Sequence, residues 1–302
     1  MTDRYWIAVD MDGTLLNSRG QISERTCAVL QKCLDQGHHV LPATGRALPL
    51  LPEKIKNLSG ISYAVLGNGS VVWDWKKTCA LYKKCLPEGS AEQILKDVRE
   101  MYRVHQEKAG KESRYYAEVI SDGKVYADSL DREYFLTAEI EGNFAEYMLS
   151  NHAYVKRLED QSEILKKAEK INIFFEDVLL SKKIREKWQK VKGIYTTTSV
   201  AGNAEFTAEG INKGRGLAIL KERLAIPKEQ IIAMVDETPV RASLTGVLRG
   251  ILRDGYKVPE GMKIADIDPR REQKKNCNTI SDKARCIAGS VVEVLLANGV
   301  LP

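Results

Sequence analysis

The stretch WIAVDMDGTLL, Trp6 to Leu16, decides how the chain is read. Ile7, Ala8 and Val9 form a short apolar run of the kind that makes a fully buried strand. The run ends in two carboxylates and a glycine, Asp10, Asp12 and Gly13, with the Thr14 hydroxyl beside them. Residues two apart on a strand share a face, so both acids are expected to project from one side of the strand's carboxyl end. Gly13 permits a tight turn there. Two like charges this close repel one another unless positive charge lies between them. A divalent metal ion, a phosphate with a lysine, or both would relieve that repulsion.

Outward from this strand the pattern alternates. SERTCAVLQKCLDQ (Ser23–Gln36) has a serine cap, apolar residues at helical spacing and Gly37 as its stop. HVLPATGR (His39–Arg46) reads as a second strand ending in a small polar turn, and residues 47–56 as a helix that prolines interrupt. ISYAVLGNGSVVWDW (Ile61–Trp75) gives strand, turn and strand, with Asn68-Gly69 at the turn. A βαβα opening predicts a mainly parallel sheet covered by helices. From about Leu81 to Lys192 the texture changes to a long amphipathic helix, strand-like RYYAEVIS and KVYAD, a polar helical stretch, KINIFFED and the helical SKKIREKWQKV. That mixture fits an inserted α/β domain. The alternating pattern resumes at GIYTTTSV and AEFTAE, followed by a helix from Asn212 to about Leu224 and the strand QIIAMVD. The expected organisation is a core of residues 1–80 and 193–236, an insert of 81–192, and a β-rich module with a terminal helix over 237–302.

Composition narrows the class. At 302 residues, two or three compact units are expected, and 43% hydrophobic with 29% charged residues is ordinary for a globular protein with a core. The net charge of +5 is spread along the chain rather than clustered, which argues against nucleic acid and favours small anionic partners. The six cysteines form no Cys-x-x-Cys pair and no signal-peptide pattern precedes the first strand, so reduced thiols in the cytoplasm are expected. No apolar run approaches the ~20 residues that span a bilayer, so no membrane association is expected. His38, His39, His105 and His152 show no ligand or triad spacing.

Asp-x-Asp-Gly-Thr at the end of the first strand of such a sheet resembles the nucleophile motif of the haloacid dehalogenase (HAD) superfamily, matched here by Asp10, Asp12, Gly13 and Thr14. The resemblance implies that Asp10 takes a phosphoryl group as an aspartyl-phosphate. It implies that Asp12 protonates the leaving oxygen and then activates water. Covalent catalysis divides one hard displacement into two easier ones, and general acid–base help adds ~10²–10⁴-fold. ATGR (Ala43–Arg46) resembles the second motif: the Thr44 hydroxyl and the Gly45 N–H are suited to holding a phosphoryl oxygen, and Arg46 serves either substrate or fold. Asn68 stands at the end of the third strand, where related enzymes often place a polar site residue. EGINKGRGL (Glu209–Leu217) resembles the lysine motif of the Cof-type branch, with Lys213 beside the helix cap Asn212 to neutralise the acid and phosphate charges. The insert matches that branch's α/β cap, a domain that closes over the site and excludes water. The resemblance implies an α/β fold with a HAD-like Rossmannoid parallel-sheet core, an inserted α/β cap and a small β-rich C-terminal segment. It also implies Mg²⁺ held by Asp10, Asp12 and Asp236, and a small phosphorylated metabolite such as a sugar phosphate or flavin-type phosphate as substrate.

The resemblance breaks at the fourth motif. Where the family has Gly-Asp-x-x-Asn-Asp, Val235 replaces the glycine, Asp236 matches the first acid, and Pro239 and Val240 stand at the asparagine and the second aspartate. Magnesium wants near-octahedral oxygen ligation, so weakened activity is expected. The segment from about 238 to 296 resembles instead the C-terminal part of selenium-dependent molybdenum hydroxylase accessory proteins. The alternative this implies is a catalytically degenerate HAD scaffold fused to a binding or assembly module, with a protein partner at the C-terminal segment, in the maturation of selenium-dependent molybdenum enzymes.

Overall fold

In the computed structural model, which describes residues 4–17, 20–109, 114–137, 146, 149–234, 247–251 and 265–268, the opening apolar run is the strand β1 (Trp6–Val9). Ile7, Ala8 and Val9 are buried. The helix α1 (Glu24–Asp35) follows, capped by Ser23, whose hydroxyl accepts from Thr26 N at 3.0 Å. After β2 (His39–Pro42), Pro49 and Pro52 break the expected 47–56 helix into a single turn at Leu48–Leu50 and the short α2 (Glu53–Lys56). A proline ring inside a helix removes a backbone donor and clashes with the preceding turn, so one continuous helix cannot form. Next come β3 (Tyr63–Leu66), β4 (Val71–Asp74), β5 (Cys79–Lys83), α3 (Ser90–Ala109), β6 (Tyr115–Ser121), β7 (Lys124–Asp128) and α4 (Ser129–Thr137). The chain continues through β8 (His152–Val155), α5 (Ser162–Leu165), β9 (Ala168–Phe175), α6 (Val178–Trp188), β10 (Ile194–Thr197), β11 (Asn203–Ala208), α7 (Lys213–Leu224) and β12 (Ile231–Met234).

The residues divide into two compact units, one within the spans Met1–Pro42, Pro52–Ile61 and Glu229–Pro302, the other within Ala43–Leu51 and Ser62–Lys228. The first unit holds a parallel sheet in the order β12-β1-β2, with Ile7 opposite both Ile232 and Val40. An all-parallel sheet with β1 in its middle is the α/β core that the opening motif predicts. In the same span, β13 (Val247–Ile251) and β14 (Ala265–Asp268) pair antiparallel with a bulge between Leu248 and Gly250. The remainder of the expected β-rich segment and its terminal helix lie outside the described residues.

The second unit holds the antiparallel sheet β3-β4-β5 and a six-stranded sheet in the order β10-β11-β9-β6-β7-β8. All its neighbours run antiparallel except β7 and β8. Here β10 and β11, which the pattern assigns to a resumed parallel core, instead pair antiparallel onto β9. The strand type is set by this non-local pairing, which the local sequence does not encode. One face of the large sheet is apolar: Ala117, Val119, Ile171, Ile173, Ala204 and Phe206 are buried in one cluster with Ile94, Leu95 and Val98 of α3 and Leu180, Ile184 and Trp188 of α6. Burying each large side chain contributes roughly 1.5–3 kcal/mol, so this layer holds the unit together. Trp188 Nε1 also donates to Asp97 Oδ2 at 3.0 Å, tying the two helices. The opposite parity on the central strands carries Glu118, Lys170, Asn172 and Glu205, all buried despite being polar.

Candidate active site

Asp10 follows β1 directly and is 2% exposed. Its backbone N–H donates to Met234 O of β12 at 2.9 Å, which fixes it at the sheet's carboxyl edge. Its Oδ1 accepts from Met11 N at 2.7 Å. The strand's two-residue alternation ends at Val9, so Asp12 is placed by an irregular turn over Met11–Leu15 rather than by strand periodicity. In that turn Leu16 N donates to Met11 O at 2.9 Å. Gly13 sits at φ +75°, a conformation that a β-carbon would strain. Asp12 is exposed, whereas Thr14 is buried and its hydroxyl finds no partner among the described residues. A buried orphan hydroxyl is costly unless a ligand completes it.

Carboxylate, carbonyl and hydroxyl oxygens make a hard donor set, and together with the orphaned Thr14 hydroxyl they fit a small hard cation such as Mg²⁺. Among the described residues no group of three or more His, Cys, Asp or Glu side chains stands ready for a metal. Asp236, the expected third carboxylate, lies outside the described residues, as do Val235, Pro239 and Val240.

In the second unit the other expected site residues come together. Thr44, fully buried, donates its N–H to Val65 O at 2.8 Å, and its hydroxyl accepts from Arg46 N at 3.2 Å. Asn68 N donates to Thr44 O at 3.0 Å and Gly67 N to Arg46 O at 3.1 Å, so the second-motif loop and the β3–β4 turn are bonded backbone to backbone. The turn holds Asn68 at φ +58°. A β-carbon at Gly69 would lie 2.1 Å from Asn212 O, so this glycine lets the turn press onto the capped start of α7. Asn212 Oδ1 accepts from Arg215 N at 2.8 Å, and half-buried Lys213 is the first residue of the helix. Arg46, left open between substrate and fold, donates from Nη1 to Leu50 O at 3.2 Å, a contact with the fold.

Two residues that the motifs do not signal complete this arrangement. Lys170 of β9 has a side chain 3% exposed, and its Nζ lies 3.1 Å from Glu205 Oε2 of β11. The same ammonium donates to Gly45 O at 3.1 Å. Glu205 Oε2 also accepts from Asn68 Nδ2 at 2.7 Å and from Thr197 Oγ1 at 3.1 Å. Burial works against the Glu205 charge, but the Lys170 ammonium and these hydrogen bonds outweigh it and hold the carboxyl below its ordinary value. The sequence signal is a charged residue set beside fully buried apolar ones, Lys170 before Ile171 in β9 and Glu205 between Ala204 and Phe206 in β11. Further along the same sheet face, His152 Nε2 pairs with Glu118 Oε1 at 2.6 Å and Asn172 Nδ2 donates to Glu118 Oε2 at 3.0 Å.

A family profile described as haloacid dehalogenase-like hydrolase matches residues 7–238. The chain belongs to this family, and the match runs past Val235 and Asp236 and stops just before Pro239 and Val240. It is 27% identical over 255 residues, covering 83% of this chain and 86% of the relative, to 5-amino-6-(5-phospho-D-ribitylamino)uracil phosphatase YcsE of Bacillus subtilis. It is 26% identical over 278 residues, covering 83% of this chain and 91% of the relative, to phosphatase YwpJ of the same organism. In fold it is similar to a solved haloacid dehalogenase-like hydrolase from B. subtilis, with a TM-score of 0.60 at 24% identity over 76% of this chain and 82% of that one. The α/β HAD-like fold and the phosphatase class follow. Among the described residues no helix is long and apolar enough to cross a membrane.

Proposed function

We propose that this protein is a Mg²⁺-dependent phosphomonoesterase that acts on a small phosphorylated metabolite through an aspartyl-phosphate on Asp10. The reading is carried by Asp10 itself, a carboxylate buried at the carboxyl end of the central parallel strand, followed at once by a turn that only glycine suits. Burial keeps competing water from the Asp10 carboxylate, which attacks the phosphorus while the bond to the leaving oxygen breaks. Asp12, exposed beside it, donates a proton to that leaving oxygen and later takes one from the water that releases phosphate. Thr44 and the Gly45 N–H bind phosphoryl oxygens, Arg46 and Asn68 orient that loop and the substrate, and Lys213 offsets phosphoryl charge. Asp10 and Asp12, with Asp236, would hold Mg²⁺, which when bound neutralises charge developing on the phosphoryl oxygens.

The substrate class is a phosphorylated polyol, sugar or flavin-type precursor. Support comes from the relative named for a phosphoribitylamino-uracil. The test is phosphate release from a panel of phosphorylated metabolites by the full chain, with and without Mg²⁺. Release that requires Mg²⁺ and favours polyol phosphates supports the reading. Equal release by wild type and Asp10→Asn removes it.

A further inference from the structure

The polar parity of the six-stranded sheet points to residues that the family motifs do not name. Register places Lys170 of β9 opposite Thr207 and Glu205 of β11 opposite Asn172, so the two charged side chains lie on one face of adjacent strands. Both are buried, and they meet at 3.1 Å. A buried ion pair is expensive to desolvate, and an apolar pair of similar size would hold two strands at least as well. Stability of the sheet is therefore a poor reason for charge at these positions. What the charges reach is more informative. Lys170 Nζ donates to Gly45 O at 3.1 Å, and Glu205 Oε2 accepts from Asn68 Nδ2 at 2.7 Å. Gly45 and Asn68 belong to the two segments that exchange backbone hydrogen bonds at Thr44. The fit is tight: a β-carbon on Gly45 would lie 2.7 Å from Asn68 Oδ1 and 3.2 Å from Lys170 Nζ.

We propose that Lys170 and Glu205 are positioning residues that clamp the Thr44–Gly45–Arg46 loop and the Asn68 turn in the geometry that binds a phosphoryl group. The proposal rests on the phosphatase reading above and adds to it two residues on strands outside the motifs. Lys170 fixes the Gly45 carbonyl and so the peptide it shares with Arg46, whose N–H in turn holds the Thr44 hydroxyl. Glu205, held ionised by Lys170, fixes the Asn68 amide. The pair acts as one unit, because removing either charge leaves the other buried and uncompensated.

The experiment compares full-length wild type, Lys170→Met, Lys170→Arg and Glu205→Gln. Steady-state hydrolysis of p-nitrophenyl phosphate, thermal unfolding and calorimetric titration with inorganic phosphate are read for each. Misplacing a binding loop by about an ångström can cost about 10²-fold in rate. Lys170→Met and Glu205→Gln are therefore expected to lower kcat roughly ten- to hundredfold, with KM changed much less and a cooperative unfolding transition retained. Lys170→Arg, which keeps the charge, is expected to recover most of the rate. A kcat equal to wild type in both Lys170→Met and Glu205→Gln overturns the clamp. So does a loss that appears only as lowered thermal stability and that Lys170→Arg shares in full. If Lys170→Met does not fold, Glu205→Gln alone decides. If wild type hydrolyses nothing, the phosphatase reading fails by itself and the phosphate titration decides the clamp: weaker binding in Lys170→Met upholds it, and equal binding overturns it.

Discussion

At the scale of single residues, Asp10 is the proposed nucleophile and the first position to test. Asparagine at this position preserves the side-chain oxygen that accepts from Met11 N, so the fold should tolerate Asp10→Asn while the nucleophile disappears. Turnover is expected to fall roughly 10³-fold or more, the order seen when a catalytic nucleophile is removed, with the far-ultraviolet circular dichroism unchanged. Gly69 shows a different single-residue constraint. At φ +99°, with Asn212 O 2.1 Å from a built β-carbon, it has no room for alanine. Gly69→Ala is expected to destabilise by about 2–4 kcal/mol through strain and overpacking together, checked by urea unfolding. These positions were readable in the sequence because their chemistry is local: an acid after an apolar run, a glycine in a turn, an asparagine before a helix. Lys170 and Glu205 were not readable, since their meaning arises only when β9 and β11, some thirty residues apart, lie side by side.

Among the elements, α1 shows how a cap sets a helix. The Ser23 hydroxyl meets Thr26 N at 3.0 Å, satisfying one of the donors a helix start leaves open. Ser23→Ala should cost about 1 kcal/mol of stability and leave kcat alone, measured by denaturant titration beside steady-state assays. The strand β9 carries a second test. Glu169 is buried, its Oε1 accepts from Asp122 N at 3.1 Å, and its Oε2 has no partner among the described residues. Burial is the main reason its carboxyl is pushed up from 4.5 to about 7, with Lys83 only partly opposing it. The folded chain then binds this proton more tightly than the unfolded chain does, so stability falls as pH rises from about 4.5 through 7. Glu169→Gln removes that dependence, and its melting temperature relative to wild type should climb between pH 5 and pH 8. Parallel curves for the two proteins would contradict this. The proline break after Leu50 and the helix caps follow from residue type, whereas the membership of β10 and β11 in an antiparallel sheet follows from pairing across the unit and is not written in either strand.

For the whole molecule, the parallel core and the separate mixed sheet give the α/β architecture that the order of motifs predicts. The parallel core was legible because its strands alternate with helices, whereas the large sheet was legible only in part, since β10 and β11 join it by pairing onto β9. The fourth motif was also legible as a departure, and the family match ends within it at residue 238. Loss of the second loop acid should appear in the intact protein as weak Mg²⁺ affinity, so turnover is expected to keep rising at millimolar Mg²⁺ rather than saturating below it. Saturation in the low micromolar range would mean that another oxygen donor replaces the missing one. The decisive measurement is chemical trapping of the covalent intermediate: full-length protein is mixed with a turned-over phosphate ester and Mg²⁺, quenched in acid, reduced with borohydride and mapped by mass spectrometry. A modified Asp10, absent from Asp10→Asn, is the expected result. Continued turnover with Asp10 unmodified, or with the label on another residue, would contradict an aspartyl-phosphate at the end of β1.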